Sequence, residues 1–261
     1  LSLKVYVSLL VVLLSSYYTP SFRLKDKHVL ITGGSSGIGL STALAYAKQG
    51  AKITLVARNL SKLQAAKATI DEACKTPDSK WGDDPIVHII SCDTSSSQAA
   101  VDSALDSTKN PFGDVDVLIN CAGTSIAGEF DTTSTTEFTK MFNTNVMGSV
   151  YPTHSLIKSM KKKRRGRIIF VASQVAQVAI HGYTAYAASK WALRGLAEAL
   201  QMEVKPYGIL ISVVYPPDTN TPGYELEMST KPALTKKLSE SGDVFNSDDV
   251  AADILKYSGQ G

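Results

Sequence analysis

Lys27-His28-Val29-Leu30-Ile31-Thr32 followed by Gly33-Gly34-Ser35-Ser36-Gly37-Ile38-Gly39 is the stretch that decides the reading of this chain. The first six residues carry Val, Leu and Ile side by side, so both faces of a strand built from them are apolar, as in a parallel sheet covered on both sides. A glycine-rich turn follows, and Ile38–Gly50 then shows helical apolar spacing. Strand, glycine turn and helix in that order make an anion site. Glycines let backbone approach a diphosphate closely, and the helix N-terminus offers unpaired N–H groups with partial positive charge. Gly33, Ser35, Ser36, Gly37, Ile38 and Gly39 are therefore candidate cofactor contacts.

Outward from this point the same alternation repeats. Lys52–Ala57, Ile86–Ser91, Val115–Asn120, Arg167–Ala172 and Ile209–Tyr215 are short and rich in Val and Ile, and helix-length segments such as Leu60–Cys74 lie between them. Strands alternating with helices predict an α/β fold, a Rossmann-type doubly wound parallel sheet with helices on both faces. No linker divides residues 27–261, so they read as one nucleotide-binding domain. Lys161–Arg167 (KKKRRGR) reads as a solvated helix C-terminus ended by Gly166, since cations are favourable there; contact with anionic lipid is the alternative.

Composition narrows the function classes. The 261 residues are 44% hydrophobic and 20% charged, which excludes collagen-like, coiled-coil and wholly disordered chains. A net charge of +3 lacks the strongly basic footprint of a nucleic-acid binder. Cys74, Cys92 and Cys121 are odd in number with no CxxC spacing, and His28, His88, His154 and His181 have no ligand spacing, so neither a disulfide framework nor a metal site is expected.

The mean hydropathy of zero conceals an apolar N-terminus. Leu1–Tyr18 holds one charge, Lys4, while Arg23, Lys25 and Lys27 follow it. Residues 1–19 are expected to be a hydrophobic helix anchoring the chain in a membrane, with the rest in the cytosol by the positive-inside bias. A start at Leu suggests that a few residues precede it. A signal peptide and a buried core helix are the alternatives.

The end of the second strand selects the nucleotide. A ribose 2′-hydroxyl is bound by an acid there and a 2′-phosphate by a cation. Here Ala57-Arg58 and Lys62 supply cations and no acid lies between them, which predicts NADPH over NADH, with Ser36 adding a hydroxyl. Farther on, Tyr186 and Lys190 stand four apart, one helical turn from each other. A neighbouring ammonium favours a phenolate, so Lys190 is expected to lower the pKa of Tyr186 and suit it to proton transfer. Ser173 falls thirteen residues earlier, at the C-terminal end of the fifth strand, where ligands of open parallel sheets bind.

These residues together resemble the short-chain dehydrogenase/reductase family over residues 27–261. The loop is Gly-x3-Gly-x-Gly; Asp93 and the Asn120-Cys121-Ala122-Gly123 turn match the adenine-side acid and the N-x-A-G turn of that family. For Asp93 a helix cap is the plainer alternative. Asn145 completes an Asn-Ser-Tyr-Lys tetrad with Ser173, Tyr186 and Lys190. The resemblance implies hydride transfer between a nicotinamide and a ketone/alcohol pair. Ser173 would hold the carbonyl oxygen, Tyr186 would deliver the proton, Lys190 would tune Tyr186 and bind the nicotinamide ribose, and Asn145 would order a relay water. Thr221 would contact the carboxamide, while Asn120 and Gly123 would border the nucleotide.

The segment Tyr215-Pro216-Pro217-Asp218-Thr219-Asn220-Thr221-Pro222-Gly223, with the N-terminal apolar segment, is similar to members of the family that reduce long-chain sphingoid ketones at the cytosolic face of the endoplasmic reticulum. A membrane-anchored hydroxysteroid or retinol dehydrogenase and a non-catalytic NADP(H)-binding scaffold are the alternatives. Val175–Ile180 and Tyr224–Leu238 are expected to form a pocket wall and a lid, or else to be ordinary packing. Ser247–Tyr257 reads as a helix leading into a seventh strand that the chain lacks, which leaves homo-oligomerisation open.

Overall fold

Six strands pair in parallel because each carries apolar residues on both faces. They are β1 (His28–Thr32), β2 (Lys52–Ala57), β3 (Val87–Ser91), β4 (Val117–Asn120), β5 (Gly166–Val171) and β6 (Ile209–Val214), in the spatial order β3-β2-β1-β4-β5-β6. In register, Val29 lies between Ile53 and Val117, and Ile31 between Leu55 and Ile119. The connecting helices are α1 (Gly37–Lys48), α2 (Leu60–Cys74), α3 (Gln98–Ala104), α4 (Thr135–Phe142), α5 (Gly148–Lys163) and α6 (Thr184–Val204). The computed structural model describes residues 23–75, 86–106, 109–239 and 242–258. The apolar segment expected to anchor the chain, residues 1–19, lies outside them. Among the described residues no helix is long and apolar enough to cross a membrane.

The strand pleat divides the core in two. Val29 and Ile31 face Ala43 and Tyr46 of α1, Ile70 of α2 and the last helix, whereas Leu30 faces Met160 of α5 and Leu193 of α6 on the other side. Burying a side chain of this size stabilises the fold by about 1.5–3 kcal/mol, so both layers are held firmly. Strand order reverses between β1 and β4, which opens a crevice beyond their C-terminal ends.

After β6 the chain departs from the expected pattern. β7 (Thr219–Asn220) pairs with β8 (Phe245–Asn246) in a separate two-stranded sheet, with α7 (Pro222–Thr230) and α8 (Ala233–Ser239) between them. The expected single segment Tyr224–Leu238 is thus two helices. Pro232 follows Lys231, whose ψ of 126° is extended, because a proline disfavours helical backbone in the residue before it. The last described helix, α9 (Ser247–Ser258), packs on α1, where Ser41 donates to Ser247 at 2.9 Å.

The basic run also differs in detail from its expectation. α5 is ended by Arg164, at φ 52°, and not by Gly166, which starts β5. Gly166 serves packing instead, since a Cβ there would meet the Met160 sulfur at 2.7 Å. Most of the cations have protein partners. Arg164 donates to the Pro206 carbonyl at 2.7 Å, Arg165 pairs with Asp116 at 3.4 Å, and Lys161 lies over the Tyr207 ring.

Candidate active site

A cleft of about 860 Å³ lies where the strand order reverses. Gly33, Ser35, Ser36, Gly37, Ile38 and Gly39 line one side of it. Gly33 has a φ of +67°, and a Cβ on it would come within 2.8 Å of the Ala122 Cα, so only glycine lets the turn after β1 lie against the turn after β4. Gly39 has the same role toward Gly33: a Cβ would overlap that residue's backbone. Ser36 is the N-cap of α1, yet its side chain makes no capping bond. The first N–H groups of α1 and the Ser36 hydroxyl therefore face the cleft available to an anion. Ser125, also in the wall, keeps its Oγ buried with no protein partner among the described residues. These features fit a dinucleotide.

Arg58, Lys62 and Asp93 stand together at the end of β2 and β3 and line the same cleft. Asp93 is not the cap of α3, because Ser97 has that place. It accepts from the Ser95 amide at 2.9 Å and the Ser95 hydroxyl at 2.7 Å, closing a local turn. Partial burial works against its ionisation, but the Ser95 bonds and the Arg58 guanidinium hold the carboxyl below the usual range.

Ser173, Tyr186 and Lys190 meet at the opposite wall, with Gly123 and Thr221. Ser173 follows β5, and its hydroxyl lies beside that of Tyr186, which α6 presents from its first turn. The Lys190 ammonium donates to the Val171 carbonyl at 3.0 Å and lies 5.7 Å from the centre of the Tyr186 ring. Thr221 caps α7 by accepting from the Tyr224 amide at 3.1 Å, and a Cβ on Gly37 would crowd its methyl at 2.9 Å.

Two predicted residues stand behind the wall rather than in it. Asn145 is fully buried in a π-helical turn, Asn143–Met147, inserted between α4 and α5. Such turns interrupt a helix by one residue and recur at functional sites. Its side chain accepts from the Thr124 amide at 2.8 Å and donates to the Thr124 carbonyl at 3.0 Å and to Ser189 at 2.9 Å. Ser189 in turn donates to the Tyr186 carbonyl. The amide is thus committed to fixing the wall and the helix that bears Tyr186. Asn120 points to α5, donating to Thr153 at 3.0 Å.

The electrostatics correct one expectation. Tyr186 is held well above the usual phenol range, by burial first and then by the negative charge of Glu227 and Asp218. Burial pulls Lys190 down to about 8. The ammonium donates to a carbonyl and lies over the Tyr186 ring, but burial and the two carboxylates outweigh the lowering that the four-residue spacing alone predicts. Cys121, beside it, is pushed up to about 11 by burial.

Several site residues escaped the sequence reading. Thr32 accepts from the Cys121 and Ala122 amides at 3.1 Å each and so ties β1 to the turn after β4. Tyr183 and Glu227 are buried in the wall of the cleft, with Lys231 buried behind them. Only the one-turn spacing of Glu227 and Lys231 hinted at it, and that spacing is common.

With the geometry in place, the fold and the site define a nicotinamide-dependent oxidoreductase of the short-chain dehydrogenase class. Residues 27–231 match the family model described as short chain dehydrogenase, and the chain belongs to that family. It is 46% identical over 254 residues to the 3-dehydrosphinganine reductase of Danio rerio, covering 97% of this chain and 75% of that protein. The 3-ketodihydrosphingosine reductase of Bos taurus is 45% identical over the same shares, and that of Dictyostelium discoideum is 39% identical over 90% and 72%. Among solved structures, levodione reductase superposes with a TM-score of 0.78 at 27% identity, covering 91% of this chain and 92% of that one.

Proposed function

We infer that this chain reduces 3-ketosphinganine to sphinganine in sphingolipid synthesis. The observation that carries the reading is that Ser173, Tyr186 and Lys190 line one cleft of a chain matched along 97% of its length by reductases of that ketone. When bound, a nicotinamide dinucleotide supplies the hydride. Gly33 through Gly39 would hold its diphosphate, and Lys190 its ribose.

The protein's own part is to bind the ketone and move one proton. The Ser173 and Tyr186 hydroxyls lie side by side, so a carbonyl oxygen entering between them can accept from both in place of the contact they make with each other. Burial and the neighbouring carboxylates keep Tyr186 a phenol at neutral pH. A phenol is the form that can give a proton to the oxygen as it becomes an alkoxide. Asn145 and Ser189 hold the first turn of α6 against Thr124, which keeps the donor in place.

NADPH is the proposed cofactor, on the support of Arg58 and Lys62 at the ribose end. A guanidinium suits a 2′-phosphate, and Asp93 is the one acid beside them in the cleft lining. The acyl chain of the ketone is proposed to leave the cleft along Val178, Leu238 and Phe245, which line it and are exposed. A membrane location at the endoplasmic reticulum, with this domain in the cytosol, is proposed on the apolar N-terminal sequence and on the substrate, which partitions into lipid at about 0.8 kcal/mol per CH₂.

The test is NADPH oxidation by detergent-solubilised protein with 3-ketosphinganine, beside steroid and retinal substrates. Turnover of the sphingoid ketone alone is expected. Turnover of a steroid or retinal in its place would refute the reading.

A further inference from the structure

Lys231 is wholly buried at its side chain and serves two carboxylates at once. Its ammonium lies 3.1 Å from Glu227 Oε1 and 3.2 Å from Asp218 Oδ2, and it donates to the Ser239 hydroxyl at 3.1 Å. The rings of Tyr224 and Tyr183 flank it at 4.9 and 5.7 Å. Tyr183 donates to Glu227 through its hydroxyl. Two carboxylates against one ammonium leave the group with one negative charge in excess. A staple whose only task was to hold α7 and α8 on α6 would need one acid for its lysine; here Asp218, with 34% of its side chain exposed, meets solvent, and Glu227 is nearly buried.

The position of the excess charge gives it a use. Glu227 and Asp218 both line the cleft. Tyr183 and Lys231 both bond Oε1 of Glu227, and a carboxylate has about four acceptor sites, so capacity remains. The ring of Tyr183 lies 5.6 Å from that of Tyr186, centre to centre, which puts the Glu227 carboxylate on the proton-donor side of the cleft. Its field reaches Tyr186, whose phenol it helps to hold up.

We propose that Glu227, supported by Asp218, binds the ammonium of an α-amino ketone and thereby selects that substrate class. The proposal rests on the function inferred above, whose substrate carries an amino group on the carbon next to the carbonyl. A carbonyl oxygen bonded to Ser173 and Tyr186 leaves that ammonium two bonds from the carbonyl oxygen's carbon, on whichever side offers negative charge. Glu227 offers it, and the contact with Lys231 orients the carboxylate. The bound ammonium completes the charge balance that Lys231 leaves unfinished.

The experiment compares 3-ketosphinganine with the ketone of equal chain length that has hydrogen in place of the amino group, in wild type and in Glu227→Gln. Wild type is expected to favour the amino ketone in kcat/KM by about tenfold or more, the range for a hydrogen bond to a charged group. Glu227→Gln is expected to raise KM for the amino ketone by about the same factor and to cost the desamino ketone less, so that the preference between the two ketones narrows toward one. Equal losses on both ketones would mean a structural role and overturn the proposal, as would no loss on either. Equal kcat/KM for the two ketones in wild type overturns it without any variant, should Glu227→Gln fail to fold. Wild type that reduces the desamino ketone but not the amino ketone refutes the inferred substrate itself, and the proposal with it.

Discussion

Replacing Thr32 with Val removes one oxygen and keeps the shape, so it isolates what the hydroxyl does. Thr32 is fully buried at the end of β1, and its Oγ accepts from two successive amides, those of Cys121 and Ala122, at 3.1 Å each. Leaving a buried donor without an acceptor costs about 1–3 kcal/mol. Both amides border the cleft, where water can reach them in part, so the lower half of that range applies to each. The expected loss is about 2–4 kcal/mol in all. Each kcal/mol lowers Tm by about 2–4 °C in a domain of this size, which predicts a fall of about 4–16 °C. Thr32→Ser keeps the acceptor and loses only a methyl, so it should melt close to the parent. The same turn carries Gly123 beside the Lys190 ammonium, so NADPH affinity should fall with stability in Thr32→Val and hold in Thr32→Ser. Thermal unfolding followed by circular dichroism and NADPH binding followed by fluorescence measure the two effects. A Thr32→Val protein that melts within about 2 °C of the parent, or a Thr32→Ser protein that melts as low as Thr32→Val, would refute the reasoning.

Tyr186→Phe should abolish turnover while NADPH still binds, because only the proton donor is lost; undiminished turnover removes Tyr186 from its role. Arg58→Glu should weaken NADPH by about 10- to 100-fold, the loss of a charge-assisted bond, and improve NADH relative to it, as read by fluorescence titration; an unchanged ratio places the 2′-phosphate elsewhere. Burial lowers His28 to about 4 from its ordinary 6.5, with Nδ1 2.9 Å from the Gly113 carbonyl and Nε2 2.8 Å from the Thr54 hydroxyl. The unfolded chain therefore takes up this proton first as pH falls. Stability holds above about pH 6.5 and drops by about 3 kcal/mol on the way to pH 4. Urea unfolding at pH 7 and pH 5 should show that slope shrinking in His28→Gln, and an equal slope in both proteins would count against it.

Much of the site was legible because its determinants are local. The glycine turn needs only Gly33, Gly37 and Gly39 at close spacing, and the Tyr186–Lys190 pair needs only one helical turn. What escaped depends on residues far apart in sequence. Thr32 looks like the last residue of a strand until β4 brings Cys121 and Ala122 beside it. Glu227 and Lys231 look like an ordinary surface pair on a helix until the chain reversal after β6 buries them against Tyr183. The spacing of Tyr186 and Lys190 suggested a lowered phenol pKa, and the opposite shift came from burial and from Glu227, neither visible in a four-residue window. Asn145 was found by its place in the tetrad, but its bonds to Thr124 and Ser189 are set by a π-helical turn that no local pattern announces.

By itself the amino-acid sequence determined the order of strands and helices, the parallel sheet and the anion cradle, since each follows from periodicity or from glycine at short range. Tertiary structure alone decided which polar groups face the cleft, which are committed to its walls, and how the protons are held. Those outcomes depend on burial and on charges brought together from distant segments, and the dielectric surroundings of a side chain exist only once the chain is packed.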